Sequence, residues 1–195
     1  MKPSSEQRLQ KIHPALASAV RAMIADLAAK GLIVEVVQGM RTFAEQDELY
    51  AKGRTRPGEI VTQARGGESN HNYGLAVDLC PFTNDKPDWN APVSAWAAIG
   101  AAAEKHGLEW GGQWKKFIDK PHVQLPAMTV KECARCHADG GMDAVWTTAS
   151  QRIGWAGVPR EISRRATRRK TIKRRKTTAV TRRRKSANKA TRRSR

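Results

Sequence analysis

The segment Ser69-Asn-His71-Asn-Tyr73-Gly74-Leu-Ala76-Val-Asp78-Leu places a histidine and an aspartate seven residues apart with a glycine between them. Imidazole nitrogen and carboxylate oxygen are the donors that catalytic zinc sites use, three from the protein with one position left for water. A loop histidine and an in-strand aspartate can converge on one ion if the chain turns at Gly74. The third donor is expected to be another histidine close in space. His122, in Asp119-Lys-Pro121-His122-Val-Gln124, is the candidate. Asp119 lies three residues before it, and a carboxylate beside a metal can take a proton from attacking water and return it to a leaving amine. Arg41, in Gln38-Gly-Met-Arg41-Thr-Phe, follows a predicted strand. A guanidinium there can hold a substrate carboxylate or a developing oxyanion. Each residue alone has an ordinary structural explanation. Their combination with Ser69, Gly74 and Ala76 gives the set its meaning.

These side chains need elements to hold them. Leu16, Val20, Met23, Ile24 and Leu27 recur at spacings of three and four, predicting one helix over residues 6–30 that Gly31 stops. Leu32 to Val37 is rich in β-branched residues and reads as a strand. Phe43 to Ala51 reads as a short helix capped by Thr42. Residues 53–70, punctuated by Gly53, Pro57, Gly58, Gly66 and Gly67, form a long loop of the kind that is often functional. Leu75 to Leu79 alternates as the strand carrying Asp78. Beyond a Pro/Asn/Asp-rich connection, Asn90 is expected to cap a helix whose apolar face is Val93, Trp96 and Ile99 and which ends at Gly107. Leu108 to Gly112 and His122 to Leu125 are two further strands. A last helix starts near Thr129, runs toward Cys136, and is broken by Gly140-Gly141 from a shorter piece around Ala144 to Trp146. No long buried strands of the parallel type occur, so the pattern predicts an α+β fold with a small, mainly antiparallel sheet flanked by helices.

The motif Ser69-x-His71-x-x-Gly74-x-Ala76-x-Asp78, followed by Trp110-Gly-Gly and Asp119-x-Pro-His122, resembles the M15 family of zinc peptidases, the D-alanyl-D-alanine carboxypeptidases and L-alanyl-D-glutamate endopeptidases of peptidoglycan. Gly39-x-Arg41-Thr-x-x-x-Gln46-x-x-Leu49-Tyr50-x-x-Gly53-Arg54-Thr is similar to the cell-wall endopeptidase and phage endolysin branch. The likeness spans roughly residues 10–147. It implies the hedgehog/D-Ala-D-Ala peptidase fold, Zn2+ held by His71, Asp78 and His122, and Asp119 as general base, where many members carry Glu. It also implies substrate or transition-state contacts from Arg41 and Gln46. Ser69, Tyr73 and Trp110 are further candidate substrate contacts, although Trp110 and Trp114 can equally be core. The expected activity is hydrolysis of an amide bond in the peptidoglycan stem peptide, with an L-Ala-D-Glu endopeptidase of phage or prophage lysis favoured. The alternatives are a D-Ala-D-Ala carboxypeptidase or a non-catalytic nucleic-acid-binding protein on the same fold.

The 195-residue chain carries a formal net charge of +18, and its location decides its meaning. Residues 160–195 account for +17 and residues 1–159 for +1. This divides the chain into a peptidase-like domain over 1–158 and a polycationic tail over 159–195. The tail lacks apolar periodicity and is expected to be disordered. It has no aromatic platform for stacking bases, so its attraction is electrostatic. Anionic envelope polymers or an outer-membrane surface are the favoured partners, nucleic acid the less favoured one, and a monomer is expected. The N-terminus has no signal-peptide core, so synthesis in the cytoplasm and release to the wall are expected. Three cysteines do not make a disulfide framework. Cys133-Ala-Arg-Cys136-His137 matches a haem-attachment pattern by coincidence, and Cys80 reads as a small core residue.

Overall fold

The computed structural model describes residues 1–156, so the tail and its expected partners lie outside the described residues. The elements run α1 (Pro3–Leu9), α2 (Pro14–Ala29), β1 (Val34–Gln38), α3 (Phe43–Ala51), β2 (Ala76–Thr83), β3 (Lys86–Pro87), α4 (Val93–Lys105), β4 (Glu109–Trp110), β5 (His122–Gln124) and α5 (Val130–Arg152). The sheet order is β1-β2-β5-β4, with β3 pairing β2 beyond that path. Every strand pair is antiparallel. This is the expected α+β architecture.

The helix expected over residues 6–30 is two helices. Proline in a helix interior removes a hydrogen bond and clashes with the preceding turn, and it drives the residue before it out of the helical region. Pro14 therefore opens α2, and the His13 ring caps it by accepting from the Ala15 N–H. The apolar face is as read: Leu16, Val20, Met23, Ile24 and Leu27 are all buried. The start of α4 also differs. Pro92 rather than Asn90 is its N-cap, and Val93 stands 75% exposed while Trp96 and Ile99 are buried. Thr42 and Thr129 each complete a capping box, with Glu45 and Glu132, and open α3 and α5. Gly140 and Gly141 leave helical geometry within α5, where the break was expected.

Val77, Leu79 and Val123 are fully buried in the core together with Leu16, Val20, Met23, Val36 and Ile99. Because strand side chains alternate, the neighbours of these residues, Asp78, His122 and Gln124, emerge on the opposite face of the sheet. That face is the floor of a cleft. Cys80 and Cys133 are buried, and burial pushes their thiols up to about 11 and about 12. All three cysteines are free.

Candidate metal centre and cleft

Two strands and one tight turn deliver the candidate ligands. Asp78 on β2 and His122 on β5 are direct cross-strand partners, which brings their side chains together by register alone. His71 arrives from a 3-10 turn over Asn70–Tyr73. Ser69 caps this turn, its hydroxyl accepting from the His71 N–H, and Gly74 ends it at φ 65°. That left-handed conformation suits glycine, and it lets the chain reverse into β2. A register shift between Val36 and Gln38 sets Gln38 opposite Asp78 at the strand's end.

His71 Nε2 lies 3.1 Å from Asp78 Oδ1 and 3.2 Å from His122 Nδ1, and His122 Nδ1 lies 3.6 Å from Asp78 Oδ1. The three donor atoms fall within 4.8 Å of one another, as the ligands of one metal ion do. The outer nitrogens explain the orientation. His71 Nδ1 sits 2.9 Å from the Gly39 carbonyl and His122 Nε2 sits 3.0 Å from Gln124 Oε1. Both partners only accept, so in the neutral rings the inner nitrogens present lone pairs. Two lone pairs and a carboxylate oxygen then face one point, an arrangement that calls for positive charge. The electrostatics agree. Burial pushes Asp78 up, but the His71 and His122 imidazoles outweigh it and hold the carboxyl far below its usual range. Burial lowers His122, yet its bond to Asp78 leaves it raised.

Around this centre is a cavity of about 560 Å³. Arg41, Ser69, His71, Asp78, Asp119 and His122 all line it, as do Trp89, Trp114 and Phe117. Burial, followed by the charge of Asp78, pushes Asp119 above the ordinary carboxyl value, with His122, His71 and Arg41 partly opposing. Arg41 is largely buried, donates to Gln46 Oε1 at 2.6 Å and approaches Asp78 Oδ2 at 3.5 Å. Its Nε is buried with no hydrogen-bond partner among the described residues.

Three of the candidate substrate contacts lie elsewhere. Gln46 is fully buried behind Arg41, and its amide nitrogen donates to Thr62 Oγ1 and the Ala64 carbonyl. It joins the long loop to the arginine. Tyr73 is buried, and its hydroxyl donates to the Gly67 carbonyl. Trp110 packs where a Cβ on Gly100 or Gly112 would stand, and its indole N–H donates to the Lys120 carbonyl. It therefore pins the segment that carries Asp119. Glu109, Gln124 and Asn70 went unread in the sequence. The signal for Gln124 is its place two residues after His122, on the same face of one strand.

An antiparallel sheet presenting a His-Asp-His cluster in a cleft, with the half-buried Asp119 carboxylate and the Arg41 guanidinium beside it, defines a metallopeptidase-like site. The profile of a D-alanyl-D-alanine carboxypeptidase family of the M15 group matches residues 62–125. The chain is 44% identical over 125 residues to the peptidoglycan L-alanyl-D-glutamate endopeptidase CwlK of Bacillus subtilis, covering 58% of this chain and 73% of that relative. It is 31% identical over 108 residues to the L-alanyl-D-glutamate peptidase of Escherichia phage T5, covering 55% of this chain and 72% of the relative. The structure of the Serratia marcescens L-Ala D-Glu endopeptidase ChiX aligns with a TM-score of 0.47 at 28% identity, covering 64% of this chain and 88% of that one. The chain belongs to the M15 peptidase family and is a metallopeptidase.

Proposed function

We propose that this protein is a zinc-dependent peptidase that cleaves the L-Ala-D-Glu bond of peptidoglycan stem peptides, acting as a lysis enzyme on the host wall. The observation that carries the reading is the convergence of His71 Nε2, Asp78 Oδ1 and His122 Nδ1 in the cleft that Asp119 and Arg41 also line. The specificities named for CwlK and the phage T5 enzyme support the choice of bond, and the phage relative supports a role in lysis.

In this reading His71, Asp78 and His122 would hold a zinc ion, which would supply Lewis acidity. Asp119, raised by its burial, accepts a proton from the attacking water and delivers it to the departing amine. Arg41 holds an oxygen of the substrate on which negative charge rests or develops. Gln46 fixes the guanidinium from behind, so the donor is in place before substrate arrives.

Digestion of purified peptidoglycan followed by mass spectrometry of the muropeptides tests this. The expected products carry new L-Ala carboxyl ends and new D-Glu amino ends, and folded His71→Ala protein yields neither. Release of free D-alanine instead would reassign the enzyme as a carboxypeptidase. Full activity in His71→Ala would overturn the metal assignment.

A further inference from the structure

We propose that Glu109 and Gln124 form a relay that sets which nitrogen of His122 faces the metal position. This rests on the reading of His71, Asp78 and His122 as the ligand set. The β4–β5 register places Glu109 directly opposite Gln124. The Glu109 carboxylate only accepts hydrogen bonds. Its Oε1 takes the Trp114 indole N–H at 2.6 Å, and its Oε2 takes the Gln124 amide nitrogen at 2.8 Å. A glutamine amide has one nitrogen and one oxygen. Committing the nitrogen to Glu109 therefore turns the oxygen to the other side, where Asn70 Nδ2 lies at 2.6 Å and His122 Nε2 at 3.0 Å. A carbonyl oxygen offers no proton, so the His122 proton belongs on Nε2 and its Nδ1 is left free toward Asp78 and His71.

The reversed amide shows why Glu109 matters. Were Gln124 flipped, its NH2 group would face the Asn70 NH2 group and the His122 Nε2. The imidazole proton would be driven to Nδ1, into the space a metal ion takes. Glu109 excludes that state because a carboxylate has nothing to donate to a flipped carbonyl. The same group steadies the cleft: the Trp114 ring it holds stands 4.9 Å from the His122 ring. Asn70 immediately precedes His71, so the Gln124 oxygen also ties the two histidine-bearing segments together. Glu109 and Gln124 are positioning residues that act through His122.

The test measures zinc affinity by competition with a chromophoric chelator. Long-range 1H–15N spectra of the zinc-loaded protein report which His122 nitrogen carries the proton. The parent is expected to bind one zinc with the proton on Nε2. Glu109→Gln keeps the size of the side chain but allows the amides to reverse, and is expected to weaken zinc binding by roughly 10–100-fold. The double variant E109Q/Q124E exchanges the two groups across the strand pair. It restores an acceptor-only carboxylate toward His122 and is expected to regain most of the lost affinity. A role in stability alone would make affinity follow the thermal midpoint and would not predict this rescue. The relay is overturned if E109Q binds zinc as tightly as the parent, or if the folded double variant stays as weak as E109Q. A parent that binds no zinc would overturn the ligand assignment itself, and the relay with it.

Discussion

Asp119 and the three candidate ligands sit in different electrostatic environments, which supports the different roles proposed for them. Asp78 is held far below the usual carboxyl range by two imidazoles, whereas Asp119 is raised by burial and by Asp78 itself. Two acids in one cleft, pushed in opposite directions, divide naturally into a permanent anion and a proton acceptor. Replacing Asp119 with Asn removes the acceptor without touching the three donor atoms. The expected outcome is a fall in kcat of about 10²–10⁴-fold with zinc content unchanged, read from hydrolysis of a stem peptide alongside metal analysis. Loss of zinc with the activity would place Asp119 in the metal shell instead. The sequence made this residue legible because Asp119 and His122 share one short segment. It did not make the burial of Gln46 legible, because that depends on the loop through Thr62 and Ala64 folding back over α3.

At the level of elements, the site depends on how closely α4 approaches β4. A Cβ built on Gly100 would meet the Trp110 ring at 2.2 Å, and one on Gly112 would meet it at 2.1 Å. Trp110 is thus held between two glycines, and its indole N–H anchors the Lys120 carbonyl next to Asp119. Gly100 lies inside a helix, where Gly→Ala ordinarily stabilises by up to about 1 kcal/mol. Here the sign reverses. Gly100→Ala is expected to destabilise by about 1–3 kcal/mol through overpacking, and to lower activity because the Asp119 segment shifts. A denaturant midpoint and a steady-state rate on the same variant check both parts, and a raised midpoint would refute the packing argument. Periodicity revealed Trp96 and Ile99 on the buried face of α4 and the strand bearing Asp78, since both repeat locally, but it placed the exposed Val93 on that face as well. It could not decide whether Trp110 faced core or cleft, because the deciding contacts come from Gly100 and Lys120, ten residues away on either side. The split of α1 from α2 was readable at His13-Pro14, where proline outweighs a continuous apolar stripe.

The whole molecule joins a nearly neutral catalytic body to a strongly cationic C-terminal segment: residues 160–195 carry +17 and the rest +1. The candidate ligands His71, Asp78 and His122, together with Asp119 and Arg41, all belong to the described body. The two parts are expected to act on different steps, hydrolysis in the cleft and attraction to an anionic surface by the tail. Attraction of that kind has a range of about 10 Å at 0.1 M salt and about 30 Å at 0.01 M, and it concentrates the enzyme without altering the chemical step. Removing residues 158–195 is therefore expected to leave the rate on a small soluble stem peptide within about twofold of the parent, a difference worth less than 0.5 kcal/mol. On intact envelopes the truncated protein should bind more weakly at low salt and lose the steep salt dependence of the full chain. Pelleting with envelope fragments across a salt series measures the binding, and peptide hydrolysis under the same conditions measures the chemistry. If hydrolysis of the soluble peptide fell along with envelope binding, the separation of roles would be wrong. If envelope binding were unchanged while nucleic acid alone were lost as a ligand, the tail would serve a different partner from the cleft.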